Sequence, residues 1–368
     1  MRYIRLDGLR GLLSLIVALN HSFMIVAIPV FAGIWGQNIL EFYTLQSKLQ
    51  QIFMLIGNGG LAVSLFFVLS GFVLAKSSTN WNFSLPSSLV FYARRFLRLY
   101  PVYFFLILVS ALYMWSGFEY KLFPAGSPWF HWWMNFDMTF KEFILNATFI
   151  HTYIGGVTWT LRVILLASLT FPPLFLLSKK LNLSANLFVF SLLAWASFDL
   201  LDFPNFNDLR FTYMFYLGML IPKMEQFFES IPPKLIAVII LPLTFIALYF
   251  RYLFEIHLAG LVESIFSFFL LGILSYSKSD VFRFLESSLF RFLGKISYSL
   301  YLVHFTVLYI CGRFVLAYLP SSFLTANYFA VHSLIFVFTT LLAIGLSVLV
   351  NRFIETPAQE LSRKIKAG

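Results

Sequence analysis

The chain has 368 residues, 60% of them hydrophobic, 20% aromatic and only 11% charged, with a net charge of +10. At a mean hydropathy of +0.83 it lacks the charge that a water-soluble domain uses to cover itself, which excludes an ordinary soluble fold. The basic residues sit in short connections between apolar runs, so the charge reads as membrane topology and not as a nucleic-acid surface. The single cysteine, Cys311, excludes an intramolecular disulfide and a cysteine-based metal site.

In chain order, apolar stretches lie at about 9–31, 60–76, 101–117, 159–177, 187–201, 211–223, 235–250, 259–276, 296–319 and 330–351. They predict an all-α bundle of about ten transmembrane helices, one domain over residues 1–368. The weakest is 211–223. No small-residue cleavage site follows the first stretch, so it is expected to remain as an anchor. With the N-terminus in the cytoplasm, Arg2, Arg5, Lys76, Arg94, Arg95, Arg98, Lys179, Lys180 and most later basic residues, Lys366 included, fall inside. Only Lys48, Lys121, Lys141, Arg210, Arg251 and Arg313 fall outside. That bias places both termini in the cytoplasm. The longest connection, about 118–158, then lies outside with Glu119, His131, Asp137, Glu142 and His151; it is either a lid or acceptor-binding loop, or a variable connection.

Four segments carry residues that a lipid-facing helix does not need. Arg10 and His21 are eleven positions apart, three helical turns plus ~20°, so they share a stripe of the first helix and stand ~16 Å apart along it. An ionisable ring near the midplane is costly unless it faces a cavity or a partner. Next, Arg94, Arg95 and Arg98 precede Pro101 within one helical turn; they are either topology anchors or a phosphate-binding cluster, and the two roles are compatible. In the ninth stretch Ser297, Tyr301 and His304 share a face, with His304 about 13 Å from Lys295 and therefore near the depth of His21. The histidines either line one cavity or satisfy each other's hydrogen bonds. The run Gly59-Gly60-Leu61-Ala62-Val63-Ser64 through Ser70-Gly71-Phe72 has the small residues of a close helix crossing.

Taken together, these segments resemble the acyltransferase 3 family of integral membrane O-acyltransferases. Arg10 with His21 is similar to its arginine–histidine signature, and Phe66 to Phe72 to its second-helix motif. Three further matches are Arg94-Arg95…Arg98…Pro101, Ser297-Tyr298…Tyr301…His304 and Arg352-Phe353-Ile354-Glu355-Thr356-Pro357. The resemblance runs from the first span to the last in family order. It implies transfer of an acyl group, usually acetyl, from cytoplasmic acyl-CoA to a hydroxyl of an extracytoplasmic glycan or lipid-linked sugar, without a tightly bound cofactor or metal. It also implies a multi-pass protein of the bacterial inner membrane and, as the chain stops at Gly368, the stand-alone form.

On this reading Arg94, Arg95, Arg98 and Ser70 bind acyl-CoA, and His21 and Arg10 are catalytic. Trp159, Arg162, Tyr298, Tyr301, His304 and Glu355 support them. One position departs from the pattern. Trp159-Thr160-Leu161-Arg162 resembles the family's fourth-span motif, but the glutamate it implies falls at Ile164. Arg162 is therefore expected to reach outward or to find an acid elsewhere, with Asp199, Asp202 and Glu142 as candidates. The departure keeps open a homologue that binds without turnover, and a flippase-like transporter is the competing class; no paired broken helices in two halves point to it.

Overall fold

A computed structural model describes residues 3–27, 45–79, 81, 83–199, 207–253 and 256–365. Expectations that fall on Arg2, Asp202 and Lys366 lie outside these residues.

Lipid offers the backbone no hydrogen bonds, so an apolar chain of this kind pairs its peptide groups within helices. Helices α1 (Ile4–Ser22), α2 (Leu45–Ile56), α3 (Gly59–Ser77) and α4 (Leu85–Trp115) lead into two short helices, α5 (Pro128–Trp132) and α6 (Phe140–Ala147). Then come α7 (Thr158–Lys180), α8 (Leu183–Asp199), α9 (Thr212–Leu220), α10 (Glu225–Ser230), α11 (Pro233–Leu253) and α12 (Ile256–Tyr276). Helices α13 (Ser288–Tyr318), α14 (Ser321–Ala326), α15 (Tyr328–Val350) and α16 (Thr356–Lys364) complete the order. A π-helical turn, Asn351–Glu355, joins the last two. Helix starts are written locally: Asn58, Ser84, Ser127 and Thr139 each cap the helix that follows by accepting a backbone N–H.

A helix occupies each of the ten apolar stretches, but only seven helical stretches among the described residues are long and apolar enough to cross a membrane unaided. The other three stretches form α1, α8 and α9. Helix α1 carries Arg5, Asp7 and Arg10 in its first two turns; α8 is short, and α9 has nine residues, all buried. The stretch at 211–223 is thus a buried, broken helix flanked by 3₁₀ turns.

Two close crossings organise the bundle. A Cβ on Gly294 of α13 would lie 2.1 Å from the Asp7 carbonyl oxygen of α1, and one on Gly11 would lie 2.7 Å from the Gly294 nitrogen. At the α3–α9 crossing, Cβ atoms on Gly71 and Gly218 would each come within 2.0 Å of a backbone oxygen on the other helix. Only glycine lets these backbones meet, as the small-residue run in α3 leads one to expect. The Ser14 hydroxyl also reaches the Ser297 carbonyl at 3.1 Å. The α1–α13 crossing therefore sets the height of every residue above it on both helices.

Candidate functional site

Helix α3 runs antiparallel to α1. Phe72 meets Tyr3 near the start of α1, whereas Gly59 lies beside Asn20 near its end. Between α3, α4, α7 and α13 the bundle encloses a cavity of about 620 Å³. Val63, Phe66, Ser70, Val73 and Ser77 of α3 face it, one stripe spanning ~21 Å of helix. Arg10, Arg94, Arg95 and Arg98 gather at one end, and Thr160 and Tyr301 stand at the other.

The four guanidiniums are held differently. Arg94 donates from Nε and Nη2 to the Ile365 carbonyl at 3.2 and 2.7 Å, which ties it to the residue after α16. Arg95 donates from the same two nitrogens to the Ser168 hydroxyl at 3.0 and 2.9 Å. Arg10 lies 3.9 Å from Asp7. Arg98 has no direct hydrogen bond or ion pair among the described residues and is exposed to the cavity. Arg10, whose contact with Asp7 is too long for a hydrogen bond, and Arg98 are the two cations with donors open to a ligand.

Glu355 enters the same wall from the π-helical turn. It is buried and accepts hydrogen bonds from Ser299 at 2.6 Å and Gln359 at 2.9 Å. Tyr298 donates to the Leu99 carbonyl at 2.5 Å and ties α13 to α4. Ser70 bonds back to the Phe66 carbonyl at 2.8 Å, so its hydroxyl proton is already engaged.

Past Tyr301 lie the histidines. Thr160 donates to the Val157 carbonyl at 2.7 Å and stands 3.0 Å from the Tyr301 hydroxyl; that geometry leaves Tyr301 as the donor of the second bond. The Tyr301 ring centre is 6.0 Å from that of His304, and His304 Nε2 is 3.1 Å from His21 Nδ1. Neither histidine is among the cavity-lining residues, whereas their neighbour Tyr301 is. His304 Nδ1 points at the Leu300 carbonyl at 3.1 Å. A carbonyl only accepts, so Nδ1 of His304 carries the proton and Nε2 offers a lone pair. His21 must then donate from Nδ1, which leaves the lone pair on His21 Nε2.

His21 is only half-buried, beneath an aromatic cover from the long connection. Trp129 lies 5.1 Å from its ring and Phe305 5.7 Å. That connection is fastened to the segment after α1: Ala27 donates to the Ala125 carbonyl at 2.9 Å, and Ser127 donates to the Ile25 and Met24 carbonyls. Within it, His151 and Glu142 are 2.8 Å apart.

Two expectations about charge change. Arg162 has a counterion in Asp208, which lies in the 3₁₀ turn before α9 and accepts from Nε; the Ile150 carbonyl accepts from Nη1 at 3.0 Å. Asp208 is not among the three acids expected. The bundle brings it across from 46 residues away, so nothing adjacent in sequence reveals the pair. Ile164, where the glutamate was expected, faces the cavity as an apolar wall residue. Trp159 packs against Phe67 and Phe211 and does not line the cavity.

A buried carboxylate also escaped the sequence reading. Glu263, fully buried in α12, accepts from Arg251 Nε and Nη2 at 2.6 and 2.7 Å and from Ser64 at 2.8 Å. A lone acid inside the 259–276 stretch is itself a signal of an intramembrane partner. Among the described residues no cluster of histidine, cysteine and carboxylate groups is arranged to hold a metal.

Residues 3–352 match the acyltransferase 3 family, described as an acyltransferase domain. Acyltransferase MdmB of Streptomyces mycarofaciens is 30% identical over 185 residues. That match covers 49% of this chain and 42% of the relative, so the chain spans less than half of that protein's length. No solved structure matches. With the family match covering nearly all of a helical bundle built to cross a membrane, the chain belongs to the acyltransferase 3 family.

Proposed function

We propose that the protein transfers an acyl group from cytoplasmic acyl-CoA to a hydroxyl of an extracytoplasmic glycan or lipid-linked sugar. One observation carries this reading: a single cavity runs from an arginine cluster to Tyr301, and Tyr301 lies against a hydrogen-bonded histidine pair. The arginine end is the cytoplasmic one and takes the phosphates of CoA, with Arg98 as the first contact and Arg94 and Arg95 beside it. The pantetheine arm follows the α3 stripe past Ser70, and the thioester stops at Tyr301. Movement of the Tyr301 side chain away from Thr160 brings the carbonyl carbon to His21.

A sugar hydroxyl is a weak nucleophile at its own pKa and needs a base within hydrogen-bond reach. His21 Nε2 supplies that lone pair, on the half-buried side covered by Trp129. The hydroxyl oxygen bonds to the acyl carbon, the carbon–sulfur bond breaks, and CoA leaves as the thiol, its sulfur receiving the proton that His21 took from the hydroxyl. As His21 gains a proton, its Nδ1–H bond to neutral His304 becomes charge-assisted and stronger. His304 is a positioning residue, holding the tautomer that makes His21 a base.

The test uses the full chain in proteoliposomes with acyl-CoA, scoring free CoA and acylated sugar by mass spectrometry. Acceptor-dependent CoA release supports the reading. CoA binding without release for any envelope glycan fraction would overturn it in favour of a binding protein or transporter.

A further inference from the structure

The cavity does not end at its polar atoms. Phe66 meets the Tyr301 ring at 5.4 Å, and Val63, the next residue of the same stripe, lies one helical turn farther from the arginines. Leu161 and Ile164 of α7 line the cavity as well, and Phe67 stands one turn along α3 from Val63. The only polar atoms at this end belong to Thr160 and Tyr301, and they satisfy each other and the Val157 carbonyl. With both hydroxyl protons engaged, this end offers no open donor to a phosphate or a carbonyl, and the rest of its lining is apolar. What fits it is hydrocarbon.

We infer that this apolar end holds the acyl chain of the donor, that the protein is selective for aliphatic acyl groups longer than acetyl, and that Val63 sets the length. The inference rests on the proposed donor site, with the thioester at Tyr301. The turn from Phe66 to Val63 adds ~4.5 Å, room for an acyl group of about four or five carbons. An acetyl group would leave that space without partner atoms and forfeit the contact. Each buried methylene is worth about fourfold, so butanoyl-CoA should exceed acetyl-CoA in kcat/KM by roughly tenfold or more.

The experiment presents the full chain in proteoliposomes with acetyl-, butanoyl-, hexanoyl- and octanoyl-CoA in competition, reading the ratio of products. The expected optimum is butanoyl, with hexanoyl and octanoyl used less. Val63→Phe fills the end and should lower the butanoyl-to-acetyl ratio by about tenfold; Val63→Ala should move the optimum toward hexanoyl and octanoyl. Ratios within one variant do not depend on how much of it folds. Should Val63→Phe yield no folded protein, the wild-type and Val63→Ala profiles decide. Equal or preferred use of acetyl-CoA, or variant ratios that do not move, would overturn the inference and leave the donor-site reading standing. No transfer from any acyl-CoA would overturn both.

Discussion

Helix α1 carries a basic side chain at each end of the proposed reaction path, and the two ends are built on opposite principles. At the arginine end, four cations line one cavity; Arg94 and Arg95 are hydrogen-bonded to a carbonyl and a hydroxyl, whereas Arg10, 3.9 Å from Asp7, and Arg98 keep open donors. At the histidine end, two neutral-capable rings hold each other at 3.1 Å beneath Trp129 and Phe305, and a carbonyl fixes which nitrogen carries the proton. In the proposed reaction the first captures the charge of the donor and the second is a preset proton acceptor. Capture tolerates exposure and loose geometry, whereas proton transfer in a membrane interior requires every polar atom to be accounted for. The same α1–α13 crossing positions both ends, so in the proposed reaction eleven residues of one helix separate donor binding from chemistry.

Substitutions should separate the two ends. The largest effect is expected from His21→Ala: turnover should fall by ~10²–10⁴ while CoA affinity is retained, measured by steady-state CoA release and equilibrium binding. Turnover close to wild type would remove the histidine end from the chemistry. Next in size is Glu263→Ala, which removes the buried carboxylate that Arg251 and Ser64 share. About 3–5 kcal/mol of stability should be lost in detergent thermal unfolding, so that both ends fail together; an unchanged melting temperature would show that the pair is not needed to hold the bundle.

Arg98→Ala addresses the other end alone. KM for acyl-CoA should rise by roughly tenfold, corresponding to the loss of one charge-assisted contact. The dependence of KM on salt should flatten and kcat should change little. A fall in kcat with KM unchanged would place Arg98 in the chemical step instead. The smallest effect belongs to Tyr301. Tyr301→Phe removes the bond to Thr160 and should alter kcat by only a few-fold, since a neutral hydrogen bond contributes about 1 kcal/mol. A loss as large as that of His21→Ala would make the Tyr301 hydroxyl a participant.

Much of this arrangement is legible in the residues themselves. Helical periodicity puts Arg10 and His21 on one stripe and His304 at the same depth, and the structure brings the two rings into contact. The basic run at Arg94–Arg98, Ser70, Tyr298, Tyr301 and Glu355 all reach one cavity because small residues let α1 and α13 cross closely. What periodicity cannot supply is the partner across the bundle. Arg162 finds Asp208, and Arg251 finds Glu263, through contacts set by tertiary packing. Nor does hydropathy distinguish a crossing helix from a buried one: α9 is as apolar as its neighbours yet only nine residues long and wholly enclosed. The division of labour among the arginines was likewise out of reach, because it depends on where Ile365 and Ser168 come to rest.

In the proposed reaction the two ends of α1 serve opposite faces of the membrane. Proteoliposomes of uniform orientation test this directly, with acyl-CoA supplied on one side and acceptor glycan on the other. Transfer is predicted only when acyl-CoA is on the side where Arg10 and Arg98 open and the acceptor is on the side of Trp129. Equal transfer with the two substrates exchanged, or transfer only when both are on one side, would contradict it.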